Sequence, residues 1–217
     1  MSQDFSRREL RLVARSAISI LYWRYGLTCC LFGSMACMLY GNSRTPNDVD
    51  IIVMTNSHTA EDLKSILSRY PNFYLRPSRI PGETYNVLYY QLGLRRFCKV
   101  DILVPGTLNI PFMPKRRLVW RSGFLVPPIL VLLILKVQGW LHHHNSPRAD
   151  MQQKQYIDIE DIDELVRIAA WREAHVSQLS WLPIAFGAIG RTLLRYYVSS
   201  VRPEETWPWK DLGVNVP

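Results

Sequence analysis

The sequence has few cysteines, and their spacing matches neither a disulfide framework nor a zinc site. The four are Cys29, Cys30, Cys37 and Cys98, without a CxxC motif or a cysteine–histidine pattern. Two of them are adjacent within apolar sequence, which is typical of small buried residues in a reducing compartment. We therefore expect neither a disulfide-stabilised secreted domain nor a zinc module.

Long apolar runs are also missing. The longest candidate, residues 123–135 (GFLVPPILVLLIL), is shorter than the roughly 20 residues that span a bilayer, and it contains two adjacent prolines. We interpret it as a buried helix. The N-terminal sequence MSQDFSRRELR is too polar for a secretory signal and continues into an amphipathic pattern. We therefore expect a protein of the cytosol or nucleus, not secreted, with no membrane span.

Acidic residues are scarce relative to basic ones. The 217 residues include 26 lysines and arginines but 18 aspartates and glutamates, a formal net charge of +8. Between Arg76 and Arg121 there are nine basic residues and two acidic ones. A solvated surface explains this segment, and so does attraction to polyphosphate, either a nucleotide tail or RNA.

The order of apolar patterns predicts an α/β or α+β domain with helices on a mixed sheet. A helix is expected over residues 7–26, another after Gly33-Ser34, and a third that starts with Thr59 as its cap and is ended by Pro71. The predicted strands are LTCCLF, DVDIIVM, NFYLR, YNVLYYQL and FCKVDILV.

The C-terminal part of the sequence predicts a helical bundle. We expect helices at about 127–143, 153–172 and 182–199. The tail, residues 202–217, is rich in proline and charge, so we expect no regular element there. The predicted division is a domain at 1–122 that includes the N-terminal helix, a helical region at 123–201, and the tail.

Three aspartates on two predicted strands indicate a metal site. Residues two apart on a strand point the same way, so Asp48 and Asp50 present both carboxylates to one side. Mg²⁺ prefers oxygen ligands and commonly takes one or two carboxylates together with substrate phosphates. Asp101 interrupts another apolar strand, where a charge is costly unless it is paired or metal-bound. A solvated strand end would explain an isolated DxD, and two metal ions would need a third carboxylate, for which Asp101 is the candidate.

A Gly-Ser pair precedes these acids. Gly33 allows a tight turn and close approach to a ligand, and Ser34 with the helix start behind it offers a hydroxyl and N–H groups to an anion. A plain helix cap would explain the pair as well. Together the motifs resemble the signature of the polymerase-β-like nucleotidyltransferase superfamily: Gly33-Ser34, a gap of thirteen residues, Asp48-Val49-Asp50-Ile51, and later Val100-Asp101-Ile102.

The resemblance implies a small mixed-sheet nucleotidyltransferase domain followed by a helical bundle. It implies that Asp48, Asp50 and Asp101 hold two Mg²⁺ ions on the triphosphate of an NTP such as ATP and on the acceptor hydroxyl. It also implies that Gly33 and Ser34 bind phosphate. The product is a nucleoside monophosphate joined to the acceptor, with loss of pyrophosphate.

The second half is similar to the helical region of minimal nucleotidyltransferases of the AbiE-type toxin kind. In LLILKVQGW and KQYIDIEDIDEL the resemblance implies that Lys136, Asp158 and Asp161 complete the nucleotide site. Asp158 lies one turn before Ile162 on the apolar face of its predicted helix, so it needs a partner. Both Lys136 and the nearby Lys154 are candidates.

Several alternatives stay open at this level. The acceptor is an RNA end such as the 3′ end of tRNA, a small hydroxylated molecule or a protein side chain. An inactive nucleotide- or RNA-binding module and a peripheral membrane protein are the competing functions. The histidines at 142–144 are expected in a solvated loop rather than at a metal. Trp207 and Trp209 either stack on a base or fold back onto the protein.

Overall fold

A computed structural model describes residues 4–78, 82 and 84–215 of the chain. The helices are α1 (Arg7–Tyr25), α2 (Gly33–Tyr40), α3 (Ala60–Leu67), α4 (Ile129–His144), α5 (Ala149–Trp171), α6 (Ile184–Val201) and α7 (Trp207–Asp211). The strands are β1 (Cys29–Leu31), β2 (Asp48–Val53), β3 (Phe73–Pro77), β4 (Asn86–Gly93), β5 (Arg96–Leu103), β6 (Val119–Arg121) and β7 (Phe124–Val126). Contacts group the chain into two units: residues 1–38 with 44–127, and residues 39–43 with 128–217. The predicted mixed α/β class is confirmed.

A five-stranded mixed sheet forms the centre of the first unit. Its order is β1-β2-β5-β4-β3. Strands β2 and β5 are parallel, and the other neighbours are antiparallel. In the parallel pair Asp50 lies opposite Asp101, and Asp48 lies opposite Lys99. The sheet therefore brings two acidic strands side by side although about 50 residues separate them in the sequence.

Capping boxes start two helices of this unit. At α3, the Thr59 side chain accepts from the backbone N–H of Asp62, whose carboxylate accepts in return from the N–H of Thr59. The predicted cap at Thr59 is thus confirmed. Ser6 and Glu9 form the same arrangement at α1, which Gly26 ends in a left-handed conformation (φ 67°).

The second unit is built around α4, which is buried along most of its length and contacts α5 and α6. The predicted apolar face of α5 is confirmed, since Ile162, Leu165, Val166 and Ala169 are buried. Pro128 caps α4 and lies just before its first turn. A proline is tolerated at this end of a helix because the hydrogen bond that it cannot donate is not needed there. In the part of the chain that the structure describes, no helix combines the length and apolarity needed to cross a bilayer.

Two segments contain regular structure that the sequence reasoning did not predict. The expectation of an irregular tail is wrong, because Trp207–Asp211 forms α7, with a proline in its first turn. Trp209 is 1% exposed and its ring lies 5.7 Å from that of Tyr197, so this tryptophan folds back onto the protein. The basic connection forms the β6–β7 hairpin, whose turn residues Ser122 and Gly123 have φ of 48° and 85°.

Candidate active site

Three aspartates meet on the sheet of the first unit. Asp48 and Asp50 share one face of β2, and Asp101 lies opposite Asp50 on β5. One carboxylate oxygen from each lies within 4.8 Å of the other two. All three residues are partly exposed. Val49, between Asp48 and Asp50, and Ile51, directly after Asp50, are fully buried. Converging carboxylates that reach solvent could hold a divalent metal ion.

Lys99 belongs to this cluster, although the sequence reasoning did not select it. Its Nζ lies 2.5 Å from Oδ2 of Asp101, two residues further along the same face of β5. Burial by itself lowers the pKa of Lys99, but the negative charges of the aspartates and the hydrogen bond to Asp101 outweigh it, so the pKa is raised. The ammonium therefore stays charged and offsets part of the repulsion among the acids. In the sequence, the signal for Lys99 was its spacing of two residues from Asp101.

Gly33 places the start of α2 directly against the acids. Its φ is 55°, in the left-handed region that favours glycine. A β-carbon at residue 33 would overlap the carboxylate of Asp50. The neighbouring backbone N–H of Phe32 donates to the carbonyl oxygen of Asp50 at 2.9 Å. The loop before α2 is therefore tied to β2 at the second aspartate.

Ser34 has a cationic partner. The guanidinium of Arg44, from the loop before β2, donates a hydrogen bond to Oγ of Ser34. Arg44 is partly exposed. A positive charge thus stands beside the hydroxyl that the sequence predicts to bind phosphate. The signal in the sequence is a single basic residue in the loop NSRTPN, which pattern reasoning passes over.

Two buried cysteines of the central sheet are not candidates for the chemistry. Cys98 lies on β5 and is fully buried. Burial, with a contribution from the charges of nearby aspartates, raises its pKa to about 12. Burial likewise raises the pKa of Cys29 to about 12. Because the thiolate is the form that attacks and binds metals, neither residue is active near neutral pH.

The second unit contains a separate cluster of buried charges. Nζ of Lys136 lies 3.0 Å from Asp158 and 2.8 Å from Asp161. The Lys136 side chain is about 9% exposed, and the Asp161 side chain is 2% exposed. Of the two candidate partners, Asp158 therefore pairs with Lys136, while Lys154 is exposed on α5. Asn42 adds a hydrogen bond to the carbonyl oxygen of Asp161 at 2.9 Å.

The histidines at 142–144 form the last turn of α4 and not a loop, which corrects the sequence-based expectation. Nδ1 of His143 lies 2.5 Å from the second oxygen of Asp158. His144 contacts Gln155 at 2.8 Å and stacks on Trp140. Two of the three side chains therefore have polar partners on α5, and His143 extends the buried charge cluster.

The basic segment between Arg76 and Arg121 does not form one uniform patch. Arg96 pairs with Glu9 at 2.9 Å, and Arg76 lies 4.1 Å from the centroid of the Phe97 ring. Residues 115–117, which form a short 3₁₀ turn, are exposed. Arg79 and Glu83 of this segment lie outside the described residues. The exposed basic turn is therefore accessible to an anionic partner.

No protein-family model and no curated protein matches the sequence. Solved structures do match. An antigenic nucleotidyltransferase-like protein from Paracoccidioides brasiliensis aligns over 98% of this chain and 95% of its own, with a TM-score of 0.62 and 16% identity. The chain has a nucleotidyltransferase-like fold. JHP933 from Helicobacter pylori aligns over 97% of this chain and 91% of its own, with a TM-score of 0.49 and 16% identity.

Proposed function

We propose that this protein is a metal-dependent nucleotidyltransferase that moves a nucleoside monophosphate from an NTP to a hydroxyl and releases pyrophosphate. One observation carries the proposal: Asp48, Asp50 and Asp101 converge within 4.8 Å on a nucleotidyltransferase-like fold. A fold hosts many functions, so the weight rests on the residues at the site. The close approach of Gly33 to Asp50 places the start of α2, where backbone N–H groups can bind phosphate, beside the acids.

The chain's own residues have distinct roles in this reaction. Asp48, Asp50 and Asp101 would together hold two Mg²⁺ ions. When bound, Mg²⁺ neutralises charge on the triphosphate and lowers the pKa of the acceptor hydroxyl. Lys99 contacts the Asp101 carboxylate at 2.5 Å and offsets part of the negative charge of the three acids.

Residues at the start of α2 and in the loop before β2 bind the phosphates. The absence of a side chain at Gly33 lets the Asp50 carboxylate lie directly against the start of α2. The hydroxyl of Ser34 and the guanidinium of Arg44, already bonded to each other, donate hydrogen bonds to phosphate oxygens. Catalysis then comes chiefly from positioning and from charge neutralisation, as in other phosphoryl transfers.

We also propose that Lys136, Asp158 and Asp161 take part in nucleotide binding, as the sequence resemblance to AbiE-type minimal nucleotidyltransferases implies. Within the helical unit Lys136 already binds both acids, so its ammonium is held in one place. A lysine fixed in this way can donate to a phosphate with little loss of side-chain entropy. The same contacts support a role in stability, and the two roles are separable by experiment.

An RNA 3′ end, such as that of tRNA, is the acceptor we propose. The positive net charge and the exposed basic turn at residues 115–117 support it. A small hydroxylated molecule or a protein side chain has the same reacting group. A labelled NTP distinguishes these acceptors, because each acceptor would carry the label into a different pool of molecules.

The test is incubation of the protein with Mg²⁺, each α-labelled NTP in turn, and total cellular RNA, a small-molecule extract or a protein extract. Label in RNA that ribonuclease removes supports the proposal in full. Label in another pool keeps the reaction and changes the acceptor. Asp50→Asn is the matched control and is expected to label nothing. NTP binding by the wild-type chain without label in any pool would favour an inactive nucleotide-binding module.

A further inference from the structure

A groove lined by aromatic side chains lies in the first unit, between α1 and the β6–β7 hairpin. Its volume is about 320 Å³, at the lower end of the roughly 300–1,000 Å³ of ligand sites. Tyr22 and Trp23 contribute from α1, Trp120 and Phe124 from the hairpin, and Lys115 from the turn before it. None of these residues belongs to the proposed metal and phosphate sites, and Lys115 is part of the basic turn that supports an RNA acceptor.

The two indole rings at this groove are largely open to solvent. Trp23 is 78% exposed and Trp120 is 64% exposed. Tyr22 meets Trp23 edge to face, with 4.9 Å between the ring centroids. The buried ring of Phe124 closes the groove from below. Large aromatic faces left in water favour a partner that covers them, because their hydration is unfavourable.

The walls of the groove carry positive charge without an acid. Residues 10–28 contain three arginines and no aspartate or glutamate, and residues 102–126 contain four basic residues and no acid. Nζ of Lys115 lies 3.3 Å from the hydroxyl of Tyr22 and 5.0 Å from its ring centroid. The Arg15 guanidinium lies 5.6 Å from the ring centroid of Phe124. An anion that also presents flat rings matches both features.

The groove is separate from the three aspartates. Cys29, one of its lining residues, pairs with Val53 across β1 and β2. Val53 is three residues beyond Asp50, about 10 Å along the strand at ~3.3 Å per residue. A molecule in the groove therefore leaves the metal site open.

We propose that this groove binds single-stranded nucleic acid, with bases stacked on Trp23 and Trp120 and phosphates beside Lys115 and Arg116. Proteins that bind single strands combine this same pair of features, aromatic platforms and a basic track. An anionic bilayer fits less well, because the rings line a recess whereas a bilayer contacts a protruding face. The inference goes beyond the transfer reaction, since binding here needs neither metal nor NTP.

Fluorescence anisotropy tests the proposal with a labelled RNA strand of about 12 nucleotides, without Mg²⁺ or NTP. Trp23→Ala and Trp120→Ala are each expected to raise Kd about fivefold or more, because each removes a stacking surface. Trp120→Phe keeps a flat ring and is expected to retain most of the affinity. Lys115→Ala is expected to flatten the slope of log K against log salt by about 0.7 for each phosphate that is no longer neutralised. A DNA strand of the same sequence, run in parallel, identifies which sugar the groove prefers.

Matched controls come from the second unit. Trp171 on α5 is 80% exposed, and Lys154 on the same helix is also exposed. Trp171→Ala and Lys154→Ala are expected to leave Kd unchanged. Absence of binding by the wild-type chain at low salt, unchanged Kd in both groove tryptophan variants, or an equal loss in Trp171→Ala would each overturn the proposal.

Vesicles provide the remaining comparison. Phosphatidylcholine vesicles containing phosphatidylserine are sedimented with each variant. Loss of vesicle binding in Trp23→Ala and Trp120→Ala, with unchanged affinity for both nucleic acids, would identify a membrane surface and overturn the inference. Circular dichroism and thermal melts establish that each variant is folded. The transfer reaction can fail its own test while this result stands, because the binding assay contains no NTP.

Discussion

Gly33 stands so close to the Asp50 carboxylate that a β-carbon at residue 33 would overlap it. The positive φ of Gly33 imposes a second, independent requirement for glycine. Steric exclusion and backbone conformation therefore both require glycine at the point where the loop before α2 meets the acids. A side chain here would disturb the position of Asp50 as well as the turn.

Gly33→Ala is expected to lower the free energy of unfolding by about 1–2 kcal/mol or more, since an alanine is strained in this conformation. Transfer activity should fall further than stability explains, because the Asp50 carboxylate must move. Gly139→Ala is the matched control. Gly139 lies within α4 with open space around it, so alanine should stabilise the helix by about 0.5–1 kcal/mol. Thermal melts and turnover of both variants decide the comparison.

Asp48→Asn and Asp50→Asn are each expected to lower kcat about a hundredfold or more, because several kcal/mol of charge stabilisation depend on these ligands. The fold should persist, with Tm unchanged or raised, since each substitution removes one of three clustered negative charges. Single-turnover transfer and circular dichroism provide the measurements. Wild-type turnover in either variant would remove the metal assignment.

Lys99→Met is expected to increase the affinity for Mn²⁺, used as a spectroscopic substitute for Mg²⁺. The ammonium of Lys99 competes for the Asp101 carboxylate at 2.5 Å, and methionine retains the length of the side chain without its charge. Electron paramagnetic resonance titration of free Mn²⁺ measures the change, with Lys154→Met as the control. A weaker affinity would mean that Lys99 is needed to hold Asp101 in position.

Lys136→Met is expected to cost about 3–5 kcal/mol of stability, because it leaves Asp158 and Asp161 buried without their ammonium. Adding Asp161→Asn should recover part of that loss, since the two substitutions act on one pair. Lys154→Met should change nothing. Denaturant unfolding measures all three variants.

The nucleotide role of Lys136 requires a separate readout. If the lysine also binds the triphosphate, KM for the NTP should rise in Lys136→Met at a temperature where the variant is fully folded. Asp161→Asn alone should then affect KM less than the lysine substitution does. An unchanged KM in the folded variant would limit Lys136 to a role in stability.

Local patterns in the sequence were sufficient for much of the fold. The period of two along DVDIIV correctly predicted that Asp48 and Asp50 share a face. A threonine directly before an apolar helical pattern correctly predicted the cap at Thr59. Both features depend on residues within a few positions of one another. They are therefore readable without knowing what packs against them.

The β6–β7 hairpin and α7 show where local patterns failed. Each hairpin strand has three residues, too few for a period to be recognised. Helix α7 has five residues, and its stability comes from packing, visible in the burial of Trp209, rather than from helix propensity. Short elements of this kind are decided by tertiary contacts.

The sequence was sufficient to identify residues that could do chemistry, because charge, size and strand period are local properties. The partners of those residues were decided by the folded chain. Strand order placed β5 beside β2, so that Asp101 faces Asp50 and brings Lys99 with it. The packing of α4 on α5 chose Lys136 over Lys154 as the partner of Asp158. These pairings join positions that are distant along the chain, and burial makes an unpaired charge too costly to persist, so the fold selects the partners.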